Sequence, residues 1–438
     1  YDMGDKMAEE LKLPVGIENF REIREMGFYY VDKTGLIEEL LEQWGKVNLF
    51  TRPRRFGKTL NMSMLECFFS LGYAGRTDLF EGLSVWNYEK YRKLQGTWPV
   101  IFITFAHAKA DNFKDVRKQI CSEIFRQYQM RTFLLEGDTL SDAEKEIFNA
   151  VRHDMDNVDA SESIGNLCMW LSRYYGKNVI VLLDEYDTPM QEAYVSGYWN
   201  ELTSFFRSLF NSTFKTNPYL ERGIMTGITR VSRESVFSDL NNLKVITTTS
   251  TRYAESFGFT EQEVFDALDE MEMSDMKSDV KKWYDGFTFG DKHDIYNPWS
   301  ITNYLKEKKL RPYWAATSSN GLISKLLQSA SVNMKEELEK LITNYEAAKA
   351  ENRQLYLDGD QLADISDWYA SRSKFEEAQE AVTYGLQLHP GNTDLLVEQA
   401  YLYLDTRNLQ KAKQVLDSIT EAYDPEVKML KAELLLNE

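Results

Sequence analysis

The 438-residue chain has only three cysteines and four histidines. Cys67, Cys121 and Cys168 are an odd number, widely spaced, and two of them fall in apolar helical patterns. That arrangement excludes a disulfide framework and predicts buried free thiols in a reducing cytosol. His107, His153, His293 and His389 have no ligand spacing, so no protein-built metal centre is expected. No apolar run approaches the eighteen residues of a membrane span, and Tyr1-Asp2-Met3-Gly4 lacks the basic and apolar regions of a signal peptide. The expectation is a cytoplasmic protein, with a few residues or a tag remnant preceding Met3 or Met7.

Positive charge is also short. The net charge is −18, of which residues 334–438 carry −10, from 11 Lys and Arg against 21 Asp and Glu. An acidic field opposes phosphate neutralisation, which disfavours generic nucleic-acid binding. At 43% hydrophobic and 13% aromatic, the chain has the composition of a folded protein with two or three cores.

The richest stretch runs from Arg52 to Leu60. Val47-Asn48-Leu49-Phe50 reads as a short buried strand, and Leu60, Met64 and Phe68, then Leu65 and Phe69, recur at helical spacing. Between strand and helix, Gly57-Lys58-Thr59 is the end of a Walker A loop. Backbone N–H groups there cradle phosphates, Lys58 faces the β- and γ-oxygens, and Thr59 holds Mg²⁺. The first glycine of the usual pattern is replaced by Arg52. Arg52, Arg54 and Arg55 either pair with surface acids or give one guanidinium to a phosphate.

A second apolar run, Val179 to Leu183, has the character of a central parallel strand and ends in Asp184-Glu185, a Walker B element. Asp184 is the expected Mg²⁺ ligand and Glu185 the expected base that orients water, with Asp187 as the alternative. The two motifs meet only if both strands share one sheet, because ligands bind at the carboxyl ends of such strands.

Leu13-Pro14-Val15-Gly16, Tyr30-Val31-Asp32-Lys33-Thr34, Arg52 to Thr59, Leu183-Asp184-Glu185-Tyr186-Asp187, Met225-Thr226-Gly227-Ile228, Trp283-Tyr284-Asp285-Gly286 and Tyr296-Asn297-Pro298-Trp299 together resemble the bacterial AAA-ATPase-like family over about residues 11 to 330. The resemblance implies an AAA-type α/β P-loop NTPase fold with a helical lid subdomain, and ATP with Mg²⁺ as ligands. The RPRRFGKT form without an initial glycine is typical of that family. Arg54, Arg55, Phe56, Gly57, Lys58, Thr59 and Leu60 are the nucleotide-binding candidates. Glu185 and Arg230 are the catalytic ones, Arg230 as a trigger arginine beside a polar sensor Thr229, with Arg233 nearby.

Val100 to Phe105, Gly223 to Ile228 and, more weakly, Val245 to Thr249 read as further strands, which predicts three layers around a mostly parallel sheet. The polar stretch Glu136 to Ser163 is expected at the surface. Thr260-Glu261-Gln262-Glu263 is a capping box that opens a mainly helical lid. Its aromatic cluster Trp283, Tyr284, Phe287, Phe289, Tyr296 and Trp299 is expected to form a core rather than a base-stacking platform.

Near Met334 the sequence changes character. At a shift of 34 residues Leu362 pairs with Leu396, Tyr369 with Tyr403, Ala378 with Ala412 and Val382 with Leu416. This is the helix-turn-helix period of tetratricopeptide (TPR) repeats, predicting an all-α TPR-like solenoid that offers a surface to a protein partner. Val427 to Glu438 looks like a first helix without its second. The expected domains are therefore 1–258, 259–333 and 334–438. The nuclease-like PD-(D/E)XK domain common in the resembled family is absent, and the junction is expected to be artificial or incidental because the array stops in mid-repeat. An ATP-driven switch is the expected activity, with a non-catalytic nucleotide-binding scaffold and a small-molecule kinase as alternatives, and an oligomer is compatible with a trigger arginine acting in trans.

Overall fold

The computed structural model describes residues 12–43, 45–228, 236–237, 240–314, 332–351, 353, 355–370, 374–406, 408–419, 427, 430–431 and 434. The chain divides into two compact units, 1–320 and 321–438.

In the first unit, five parallel strands make one sheet: β1 (Val47–Thr51), β2 (Val100–Thr104), β3 (Val179–Asp184), β4 (Leu220–Gly227) and β5 (Leu243–Ile246), in the order β2-β3-β4-β1-β5. All residues of β1 and β3 are buried, as continuous apolar runs demand when helices cover both faces. Successive side chains of a strand enter opposite layers. Val181 and Leu183 join Ile101 and Ile103 beneath the helices Phe113–Gln129, Asn157–Tyr175 and Trp199–Phe210. Ile180 and Leu182 join Phe50, Ile224 and Ile246 against Met62, Leu65 and Phe69 of the helix Lys58–Phe69. Each such fully buried side chain contributes about 1.5–3 kcal/mol.

The α/β architecture agrees with expectation, and two details differ. Leu140, Phe148, Val151, Met155 and Ala160 of the polar 136–163 stretch are buried in the first core. These positions are spread over the helix Asp142–Ala150, the start of Asn157–Tyr175 and the turns beside them, so no single period marks them. Ser141 with Glu144 forms a capping box that opens the first helix, whose Phe148 ring packs on Tyr128 and Trp170. Residues 259–314 hold the expected helices Glu261–Glu270, Lys277–Tyr284 and Pro298–Glu307, but also an antiparallel sheet of β6 (Phe259–Thr260), β8 (Lys292–Tyr296) and β7 (Phe287–Phe289). Strands this short carry no readable alternation. The capping box at Thr260 and Glu263 is formed. Of the aromatic cluster, Phe289, Tyr296 and Tyr284 are buried, Trp283 and Phe287 are partly buried, and Trp299 lines a cavity.

In the second unit, the helices Gly359–Ala370 and Phe375–Leu388 are followed by Thr393–Asp405 and Leu409–Ser418. Both start-to-start offsets are 34 residues, and the matched Ala378 and Ala412 are both fully buried. Small residues there let paired helices approach closely; a Cβ on Gly385 would come within 2.8 Å of Leu395. Val427, Leu430 and Leu434 add to the last cluster, and the rest of 427–438 apart from Lys431 lies outside the described residues.

Candidate functional site

The strand order places β4 between β1 and β3, so the Walker A loop and the acidic pair leave the same sheet edge two strands apart. Thr226, near the end of β4, bridges them. Its hydroxyl donates to Asp184 Oδ1, and its carbonyl accepts from Tyr186 N at 3.1 Å. The next carbonyl, of Gly227, accepts from Arg52 N at 3.1 Å. A Cβ on Gly227 would meet the Tyr186 ring at 2.6 Å and Asp187 Oδ1 at 2.7 Å, so this crossing requires glycine. The Thr226 bond depends on β3–β4 register, which leaves no signal in the sequence, and it does not bear on the expected polar sensor Thr229. Thr229, Arg230 and Arg233 lie outside the described residues.

Gly57 caps the helix Lys58–Phe69 at φ 76°, a left-handed conformation natural to glycine, and Arg55 adopts φ 67° two residues earlier. The loop curls so that Lys58 Nζ donates to the carbonyls of Pro53 at 2.9 Å and Arg52 at 3.1 Å. Lys58 is 7% exposed. Burial lowers its pKa, opposed by the carboxylates of Asp187, Glu185 and Asp184. The ammonium thus sits between loop carbonyls and an acidic wall.

Asp184 is fully buried, and burial raises its pKa against the hydroxyls of Thr226 and Thr59 beside it. Its Oδ2 has no hydrogen-bond partner. An orphaned buried carboxylate oxygen next to a threonine hydroxyl fits a hard divalent cation such as Mg²⁺, completed by phosphate and water oxygens. Among the described residues no group of three or more His, Cys, Asp or Glu side chains makes a metal site by itself.

Glu185 holds φ 52°, strained for a residue with a Cβ, and lines the cavity. Thr188 Oγ1 donates to Glu185 Oε2 at 2.9 Å and fixes the carboxylate. Asp187 is buried, and its Oδ2 accepts from Ile228 N at 2.9 Å and from Gln191 Nε2 at 3.0 Å. That carboxylate secures the chain leaving β4.

The three loop arginines have separate fates. Arg52 is fully buried: it donates to the carbonyls of Thr51, Ile246 and Tyr253 at 3.0–3.3 Å, and its guanidinium lies over the rings of Phe289 and Phe257. It is a brace, neither a surface ion pair nor a phosphate ligand; burial lowers its pKa to about 10, so it stays charged at neutral pH. Arg54 reaches Gln191 Oε1 at 3.4 Å. Arg55 stacks over Trp299 at 4.4 Å and faces Glu18 at 3.6 Å. The Phe56 ring packs on Phe287 and Phe289, and Leu60 packs against the second core.

A cavity of about 540 Å³ joins these parts. Its lining combines Arg54 to Asn61, Glu185 and Thr188 with Leu13 to Ile17, Ala267, Trp299 and Leu305. That volume and the mixed polar and apolar lining suit a nucleotide. The small subdomain is tied to it at several points, among them the bond from Trp314 Nε1 to the Arg54 carbonyl at 3.1 Å. Asn297 Nδ2 donates to the carbonyls of Arg54 and Arg55 at 3.4–3.5 Å, and buried Lys33 pairs with Glu263 at 2.6 Å while donating to the Glu255 carbonyl at 2.9 Å.

These positions allow a titration test of Asp184. Its folded-state pKa is raised, so ionisation opposes folding, and stability falls as pH rises from below the ordinary carboxylate range through the raised value. Asp184→Asn lacks that dependence. Without ligands its thermal midpoint is expected to equal or exceed that of the wild type at neutral pH, the gap closing as pH is lowered. A lower midpoint at neutral pH would contradict the desolvated carboxylate.

Residues 14–237, half of the chain, match the family described as predicted AAA-ATPase, and residues 369–434 match the tetratricopeptide repeat family. An uncharacterized protein in the vnfD 5′ region of Azotobacter chroococcum mcd 1 is 30% identical over 322 residues, 72% of this chain. The chain spans 56% of that relative's length. Among the described residues no helix is long and apolar enough to cross a membrane. With its parallel sheet, its phosphate-loop geometry and a matching profile over half its length, the chain belongs to the predicted AAA-ATPase family and carries TPR-like repeats behind that domain.

Proposed function

We propose that the protein binds ATP with Mg²⁺ in this cavity and hydrolyses it, acting as a nucleotide-driven switch. The observation that carries the reading is the single cavity lined by Gly57, Lys58, Thr59 and Glu185 together with apolar side chains such as Leu13, Ile17 and Leu305 that suit a base. Lys58 would turn from the Arg52 and Pro53 carbonyls to the phosphate oxygens. Asp184 and Thr59 would hold Mg²⁺, which neutralises phosphate charge when bound. Glu185 accepts the proton of a water whose oxygen forms a bond to the γ-phosphorus as the bond to the bridging oxygen breaks, giving ADP and phosphate. Asp187 is the weaker candidate for base because its Oδ2 is held by Ile228 N and Gln191 Nε2, and it stands behind those two lining residues without lining the cavity itself.

Lys33–Glu263 and Asn297 would transmit the bound state to the small subdomain. The proposed division follows: a nucleotide-binding core over 1–258, a lid over 259–333 and a repeat module over 334–438. Three buried free cysteines suit a reducing, cytoplasmic setting. The repeats favour a second reading, a scaffold in which nucleotide is structural and the helices engage a protein.

Glu185→Gln separates the two. The amide is nearly isosteric but is no base, so Mg²⁺·ATP binding is expected to persist while steady phosphate release falls by at least about tenfold. Equal turnover in the variant would move the base elsewhere. Absence of Mg²⁺-dependent release from the wild type would favour the scaffold.

A further inference from the structure

We propose that Lys109 is a catalytic residue of this site, presenting positive charge to the γ-phosphate from within the same chain; the inference rests on the hydrolytic reading above. Five Lys and Arg side chains line the cavity: Lys33, Arg54, Arg55, Lys58 and Lys109. Four are engaged. Lys33 pairs with Glu263, Arg54 meets Gln191, Arg55 stacks on Trp299 and faces Glu18, and Lys58 caps loop carbonyls. Lys109 is exposed, and its ammonium has no ion pair or hydrogen bond among the described residues.

The backbone that carries it is fixed beside the acidic pair. Thr104, the last residue of β2, is in register with Asp184, and Phe105 N extends the ladder to the Asp184 carbonyl at 3.0 Å. The loop 105–110 therefore starts next to Glu185. Phe105 is buried and stacks on Phe206, Ala108 is buried with its N–H on the Phe105 carbonyl at 3.0 Å, and Tyr198 Oη donates to the Ala110 carbonyl at 2.6 Å. Residues on both sides of Lys109 are thus anchored, while its four-carbon arm is free to turn inward. Ala106, His107 and Lys109 share the cavity wall with Glu185, Thr188 and Gln191.

In the reaction, negative charge moves onto the bridging oxygen and the γ-oxygens as the water bond forms. A pre-positioned cation there stabilises the transition state more than the ground state. Arginines in that role contribute about 10³- to 10⁵-fold elsewhere, and Lys109 would make the site less dependent on an arginine supplied in trans.

The test uses the full chain with Lys109→Met, which keeps length and removes charge, and Lys109→Arg, which restores it. ATP affinity in Lys109→Met is expected to stay within about threefold, while phosphate release falls at least about tenfold. The extra affinity of the wild type for ADP with aluminium fluoride over ADP alone should disappear in Lys109→Met and largely return in Lys109→Arg. A wild type that hydrolyses ATP and favours the fluoride complex, with Lys109→Met doing both equally well, overturns this assignment and leaves the hydrolytic reading standing. A wild type that binds ATP yet neither releases phosphate nor favours the fluoride complex overturns both.

Discussion

Lys58→Ala is expected to abolish the thermal stabilisation that ATP confers. A ligand at a hundred times its Kd stabilises a folded protein by about 2.7 kcal/mol, and that whole increment should vanish. Lys58 Nζ lies 2.9 Å from the Pro53 carbonyl inside a loop whose turn depends on Gly57 at φ 76°, so its charge faces the space that phosphates would enter. Without it, Asp184, Glu185 and Asp187 leave an acidic wall that repels a triphosphate. The unliganded variant should unfold near the wild-type temperature, since burial already disfavours the Lys58 charge and water in the cavity that Lys58 lines can take over the Arg52 and Pro53 carbonyls. Thermal shift with and without ATP reads both quantities. An unchanged ATP shift in Lys58→Ala would remove the phosphate-loop reading altogether.

Much of this geometry was legible in the sequence, and the physical reasons for the gaps are specific. The strands Val47–Thr51 and Val179–Asp184 announce themselves because burial on both faces demands unbroken apolar runs. The repeat period is legible because every repeat must bury the same positions against its neighbour. The bond from Thr226 to Asp184 was not legible, since it depends on which strand lies between β1 and β3 and in what register. Nor was the part of the cavity made by Leu13 to Ile17 with Leu305, which the fold brings together across nearly three hundred residues. Arg52 was misread for a simpler reason. Arginine is rarely fully buried, and nothing in Arg52-Pro53-Arg54-Arg55 says which of three guanidiniums turns inward.

Arg52→Ala is accordingly expected to lower the stability of the first unit by about 3 kcal/mol or more. The wild-type guanidinium donates to the carbonyls of Thr51, Ile246 and Tyr253, and truncation takes a donor from each; an unsatisfied buried acceptor costs about 1–3 kcal/mol. The space between Phe257 and Phe289, whose rings lie 5.3 and 4.9 Å from the guanidinium carbon, is emptied as well. Arg52→Lys should fall between, because one ammonium cannot span the places of a planar fork. Tryptophan fluorescence in urea reports this selectively, since eight of the nine tryptophans precede residue 321 and Trp368 alone follows it. The contrast with Lys58→Ala is the decisive feature: one change should erase the response to ATP at nearly constant stability, the other should erode stability while the surviving folded protein still responds. If Arg52→Ala unfolds like the wild type but no longer binds ATP, the guanidinium serves the phosphates and not the frame, and the buried arginine has been assigned the wrong task.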